Sequence, residues 1–176
     1  MGKSQYVIQF GGLPLGEHQF EFEVNNTFFE QFNDTEITQA NIRVNATLIK
    51  QNTLMQILFD FEGTVGLACD RCLIDYDCRI SGHEKLIVKH GNDDESNDEL
   101  LVLPEGLEEA DISQYLYEYI ELAIPLRKVP CEDDTSETEI TCDAETLKKF
   151  NELKVEEEPS ANSNWDKLKN ITFNNN

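Results

Sequence analysis

Through the N-terminal half of the chain, apolar side chains recur at every second position. Tyr6, Ile8 and Phe10 alternate with polar neighbours before a turn-rich stretch at residues 11–16, and Phe20, Phe22 and Val24 alternate with Gln19, Glu21 and Glu23. A period of two sets the apolar side chains on one face, so each run predicts a half-buried strand. Thr27 and Glu30 have capping-box spacing, which predicts a short helix with Phe28, Phe29 and Phe32 on one face. Ile42, Val44, Ala46 and Leu48 then alternate with Arg43, Asn45 and Thr47, and a turn at Gln51 and Asn52 leads to the apolar row Met55, Ile57, Phe59, Phe61. Past Gly63 the row continues through Val65, Leu67 and Cys69, and residues 80–88 predict one further strand or two. Strands with one polar face favour an antiparallel sheet over a parallel one. The predicted fold class is therefore α+β, with a predominantly antiparallel, curled or barrel-like sheet in the N-terminal half and one or two packed helices.

The period then changes. Residues 92–99 carry Asp93, Asp94, Glu95, Asp98 and Glu99 without periodicity and read as a solvated acidic loop. Leu100 to Leu103 would add a short edge strand. Asp111 is placed to N-cap a helix whose apolar positions are Ile112, Tyr115, Leu116, Tyr119, Ile120 and Ala123, a stripe that fits a helix lying on the sheet and stopped by Pro125. A shorter helix is expected after Asp143, with Leu147 and Phe150 inward and Lys148 and Lys149 outward. Residues 1–155 are expected to form one domain, followed by an acidic, Asn-rich tail at 156–176. Trp165, Leu168 and Ile171 in that tail would share one helical turn, docked on the domain or offered to a partner.

Charge narrows the choice of partner. Thirty-five acidic residues stand against 14 basic ones, a formal net charge of −21, and the excess is concentrated late: 12 acidic and 7 basic residues up to Asn92, 23 and 7 from Asp93 onward. Such a chain is repelled by phosphate backbones and anionic lipid, which argues against autonomous nucleic-acid or membrane binding and favours a basic protein. No apolar run approaches the ~18 residues of a membrane-spanning helix. Five cysteines, an odd number not spread like a disulfide framework, fit a reduced, cytoplasmic setting.

Groups of residues with catalytic spacing are scarce. His18, His83 and His90 fall in no zinc-protease, nucleophile-elbow or phosphate-loop pattern and read as ordinary polar residues. The cysteines are the exception. Cys69-Asp70-Arg71-Cys72 is a Cys-x-x-Cys turn at the end of a strand, a geometry that aims two thiolates at one point. Cys131 and Cys142 form a second pair; folded back on the first, they would complete a closed tetrahedral zinc site. Cys78 is left over as a small core residue of the next strand. The spacing alone leaves three readings open: structural zinc, ordinary reduced thiols, or a redox-active Cys69–Cys72 pair.

Several motifs together resemble the YceD family, the large ribosomal RNA subunit accumulation proteins, in the version found in Bacteroidetes-type bacteria. They are Gly12-Leu13-Pro14 followed by Phe20-Glu21-Phe22, the Phe28-Phe29 pair, Gly66-Leu67-Ala68-Cys69-Asp70-Arg71-Cys72-Leu73, Leu122-Ala123-Ile124-Pro125-Leu126-Arg127, Cys142-Asp143 and Trp165-Asp166-Lys167-Leu168. The resemblance implies a non-enzymatic role in accumulating 23S ribosomal RNA and assembling the large subunit. It also implies a metal site: Cys69, Cys72 and Cys142 fall on the family's cysteine positions, and Cys131 stands where relatives carry His, itself a zinc ligand.

The first expectation is thus a ribosome biogenesis factor that binds a basic ribosomal protein or a pre-50S particle and touches RNA indirectly. The alternatives are a direct RNA binder using Arg43, Lys50, Arg71 and Arg79, and an enzyme, either a thiol oxidoreductase at Cys69 and Cys72 or a nuclease.

Overall fold

The computed structural model describes residues 5–32, 35–91, 96–130 and 142–153. The chain divides into two units, Met1–Asp143 and Ala144–Asn176.

The first unit is built on a five-stranded sheet. Its strands, in chain order, are β2 (Gly16–Asn25), β3 (Gln39–Lys50), β4 (Met55–Ala68), β5 (Asp75–His90) and β6 (Leu100–Leu103), adjacent in that order, while β1 (Val7–Gln9) pairs separately with β7 (Glu109–Asp111). The sheet is open, with β2 and β6 as its edges, and does not close into a barrel. The alternation in the sequence becomes a buried face through the register: Val44 lies opposite Phe61, Leu48 opposite Ile57, and Val65 opposite Cys78. Those six side chains are all buried, while Arg43, Asn45, Glu62 and Arg79 point to the other, polar face.

Two details differ from the sequence reading. The segment from Asp75 to His90 is a single strand that starts before residue 80. The β6 edge runs parallel to β5, with Ile87 opposite Leu100 and His90 opposite Leu103. A parallel neighbour ordinarily needs a long crossover, but β6 pairs only with the last residues of β5. The connection retraces just three residues, ~10 Å, and residues 91–99 suffice for that.

The helix α2 (Ser113–Ala123) lies across the buried face against β5. Ile112, Leu116 and Ile120 have no solvent exposure, and the Tyr119 ring meets Phe59 at 5.6 Å. Burying each such side chain contributes about 1.5–3 kcal/mol. Ile112, not Asp111, is the backbone cap, since the Leu116 N–H donates to Ile112 O; Asp111 Oδ1 accepts from the Ser113 N–H at 2.9 Å. The one-turn helix α1 (Asn26–Phe29) is capped two residues earlier than its sequence suggests. Asn25 Oδ1 accepts from both the N–H and the hydroxyl of Thr27, so Thr27 is a donor. Phe28 stacks edge-on against Tyr6 at 4.7 Å, and Phe32, three residues past α1, lies parallel to Tyr117 at 4.0 Å, which ties this segment to the residue before β1 and to α2.

Part of the expected acidic loop is a fixed turn. Asn97 and Leu100 exchange backbone hydrogen bonds, and Ser96 Oγ accepts from the Val102 N–H. The Tyr115 and Tyr119 hydroxyls donate to the carbonyls of Asn97 and Asp98.

In the second unit, α3 (Ala144–Leu153) has no buried residue. Phe150 is exposed and Leu147 only half-buried, so the expected inward pair is not buried; Glu145, Lys148, Lys149 and Glu152 leave too narrow an apolar stripe. The tail with Trp165, Leu168 and Ile171 lies outside the described residues.

Candidate metal centre

The β4–β5 hairpin ends in a six-residue loop. The Cys69 N–H donates to Ile74 O and the Leu73 N–H to Cys69 O, both at 2.9 Å, which folds residues 69–74 into a tight knuckle. Leu73 pays for the tightness with a left-handed φ of 59°, rare for a side chain of its size, and its side chain is 77% exposed. The turn brings the two sulfurs of the Cys-x-x-Cys sequence together. Cys69 is fully buried and accepts from the Arg71 N–H at 3.4 Å, whereas Cys72 is half-buried.

Cys142 joins them. The sulfurs of Cys69, Cys72 and Cys142 all lie within 4.8 Å of one another, and Cys142 is itself buried. A tetrahedral zinc with Zn–S bonds of ~2.3 Å holds its sulfurs ~3.8 Å apart, so a small contraction closes this cluster on a metal ion. The surroundings favour thiolate: the backbone N–H of Ile74, then that of Asp143 and the neighbouring thiols, lower the Cys72 pKa below the ordinary cysteine value. Three soft ligands at one point could hold a metal ion. Cys131, the fourth expected ligand, lies outside the described residues.

The chain is brought back to the knuckle by a clamp at Asp70. The Asp70 N–H donates to Lys128 O at 2.8 Å, and the Lys128 N–H returns a bond to Asp70 Oδ2 at 2.7 Å. The Lys128 ammonium pairs with Glu36 and lies 3.7 Å from Asp70 Oδ1. Hydrogen bonding to Glu36, with Asp70 adding to it, raises the Lys128 pKa above the usual lysine value despite burial. Val129 and Pro130 are buried beside this clamp. Lys128 and Glu36 were missed in the sequence because nothing local marks residues 58 and 92 positions from their partners.

The other cationic and histidine candidates are scattered. Arg43 and Arg79 line one shallow depression on the polar face of the sheet with Asn41, Glu62, Thr64 and Ser81. Lys50 is elsewhere, its ammonium donating to the carbonyls of Phe10 and Leu13 at 2.9 Å, and Arg71 belongs to the knuckle. The four residues therefore form no common patch. His18 bonds Pro14 O, His90 bonds Leu107 O, and His83 pairs with Asp60 on the polar face. Cys78 is buried in β5, as its spacing implies.

Among the described residues no helix is long and apolar enough to cross a membrane. Neither the curated proteins nor the solved structures contain a match to the chain. Residues 57–172 match the family described as large ribosomal RNA subunit accumulation protein YceD. The matched span contains the knuckle, α2, Cys142 and the tail with Trp165; the Gly12-Leu13-Pro14 and Phe28-Phe29 motifs precede it. The family is described as an accumulation factor, not as an enzyme, and its name ties it to the RNA of the large ribosomal subunit. With more than half of its length matched, the chain belongs to the YceD family.

Proposed function

We propose that the protein is a non-enzymatic, cytoplasmic ribosome biogenesis factor. It supports 23S ribosomal RNA accumulation and large-subunit assembly by holding a basic ribosomal protein or a pre-50S particle. Family membership over residues 57–172 is the observation that carries this reading. The net charge of −21 supports a basic protein as the direct contact, with RNA reached through it. In the same reading, Cys69, Cys72 and Cys142, with Cys131 as the fourth ligand, hold a structural zinc that fastens the chain after α2 to the sheet. The presence of Cys142 beside the Cys69–Cys72 pair supports ligation over dithiol redox chemistry.

The test is gradient fractionation of cell extracts with and without RNase. Co-migration with ribosomal proteins that survives RNase is expected. RNase-sensitive co-migration would instead favour direct RNA contact, the reading that Arg43 and Arg79 in their shared depression support. A protein that stays at the top of the gradient, free of ribosomal material, would overturn both.

A further inference from the structure

The free edge of β2 carries a second kind of recognition. In an antiparallel strand the N–H and C=O of one residue point to the same side, and the side alternates along the chain. The Gln51 N–H bonds Leu54 O across the β3–β4 turn, so odd-numbered residues of β3 face β4 and even-numbered ones face β2. Ile42 lies opposite Val24, so the even-numbered residues of β2 bond β3 and Glu17, Gln19, Glu21 and Glu23 turn their backbone groups outward. An independent contact agrees: the Tyr6 hydroxyl donates to the outward carbonyl of Glu23 at 3.0 Å. Among the described residues, no backbone group pairs with Glu17, Gln19 or Glu21 on that side.

The side chains along this edge form two rows. Glu17, Gln19, Glu21 and Glu23 are exposed, while Phe20 and Phe22 sit on the other face and are only partly covered by the core. An edge of this kind is a template for an added strand. A second copy of the chain fits it badly, because edge-to-edge pairing would set carboxylates against carboxylates. An extended segment with basic side chains on one face and apolar ones on the other satisfies both rows and the open backbone groups.

We infer that β2 docks an extended, basic segment of the partner by β-strand addition, with Glu17, Glu21 and Glu23 pairing its cations and Phe20 and Phe22 covering its apolar side chains. The inference rests on the proposed basic protein partner and specifies how that partner is held.

The probe is a synthetic peptide alternating lysine and valine over about ten residues. Binding to the full-length protein is followed by fluorescence anisotropy at low and high salt. The peptide is expected to bind, and to lose about tenfold in affinity when alternate backbone nitrogens are methylated, because the added strand then lacks its donors. Gln19→Pro removes an outward N–H without breaking a bond to β3, and it should fold, shown by an unchanged circular dichroism spectrum, and weaken the peptide to a similar degree. Glu21→Lys combined with Glu23→Lys should weaken it further and flatten its salt dependence. Absence of peptide binding, equal binding of the methylated peptide, or wild-type affinity in folded Gln19→Pro would each overturn the inference. Self-association of the protein through this edge would do the same. The two readings fail separately. If wild-type and Gln19→Pro protein both migrate with pre-50S particles, the edge inference fails and the assembly role stands. If wild-type protein binds the peptide but never meets ribosomal material, the assembly role fails.

Discussion

Asp70 and Lys128 hold each other by two reciprocal backbone-directed bonds, 2.8 Å from the Asp70 N–H to Lys128 O and 2.7 Å from the Lys128 N–H to Asp70 Oδ2. The residue inside the Cys-x-x-Cys turn thus fixes the strand of chain that follows α2, before that chain reaches Cys142. A metal joining Cys69 and Cys72 to Cys142 would otherwise have to close a long loop on its own. The clamp meets part of that entropic cost with ordinary hydrogen bonds, so the cysteine cluster is partly assembled by the protein.

Replacing Asp70 therefore tests the coupling between clamp and cluster. Asp70→Ala leaves the Lys128 N–H without its acceptor and removes a charge beside the ammonium. The partly exposed site limits the expected loss to about 1 kcal/mol in urea unfolding. The more telling change is local: Cys142, buried in the wild type, should be alkylated faster under native conditions. An unchanged Cys142 rate in the variant would mean that the clamp does not hold the cluster.

Metal ligation predicts a sharper pattern among the cysteines. Reduced protein titrated with Co²⁺ should develop thiolate-to-cobalt absorption, and Zn²⁺ should displace it. Cys72→Ser and Cys142→Ser should abolish the signal, while Cys78→Ser, altered in the core of β5 and away from the cluster, should keep it. Chelation should also lower the urea midpoint, since a structural metal adds its binding energy to folding. A colourless protein with a chelator-insensitive midpoint would exclude the zinc reading.

The sequence made some of this legible, and the physics explains which parts. Period-two alternation marked β2, β3 and β4 because each has one apolar face, and the stripe from Ile112 to Ile120 marked α2. The three-residue strand β7 carried no such mark, with Ala110 its only apolar side chain. Alternation is blind to direction, so the parallel pairing of β6 could not be read from Leu100–Leu103. The Cys69–Cys72 turn was legible because four adjacent residues fix it, and Cys142 entered through paired spacing and family resemblance. The proposed cationic patch failed on parity: Arg43 and Lys50 are an odd number of residues apart on one strand and must face opposite sides of the sheet. The Lys128 clamp, made between residues far apart in the chain, had no local signal at all.

The close approach of Phe61 makes its own prediction at Gly82. A side chain there would place its Cβ 2.3 Å from Cζ of Phe61, its register partner on β4. Gly82→Ala must push a buried ring out of place and should cost about 1–3 kcal/mol. Phe61→Leu alone should also destabilise, by creating space in the core. Combined, the two changes should cost less than the sum of the single variants, because the smaller side chain leaves room for the new methyl. Strict additivity in urea unfolding would show that Phe61 and Gly82 do not share this contact in solution.

Alkaline pH should expose the role of Tyr119. Burial, followed by the nearby Glu84 carboxylate, raises its hydroxyl well above the ordinary tyrosine value of 10.0. The unfolded chain ionises near 10.0 while the folded chain keeps its proton, so above that pH the unfolded state binds fewer protons than the native state. Stability must then fall as pH rises past 10.0, and no such loss from this group occurs below it. Tyr119→Phe removes the titrating group and gives up only a long 3.4 Å bond to Asp98 O. The variant should therefore sit slightly below wild type at neutral pH and show a shallower decline between about pH 10 and 11 in urea unfolding. Parallel declines in the two proteins would mean that Tyr119 ionises as freely in the native state as in the unfolded chain, and that its ring is not held against Phe59 as the packing of α2 requires.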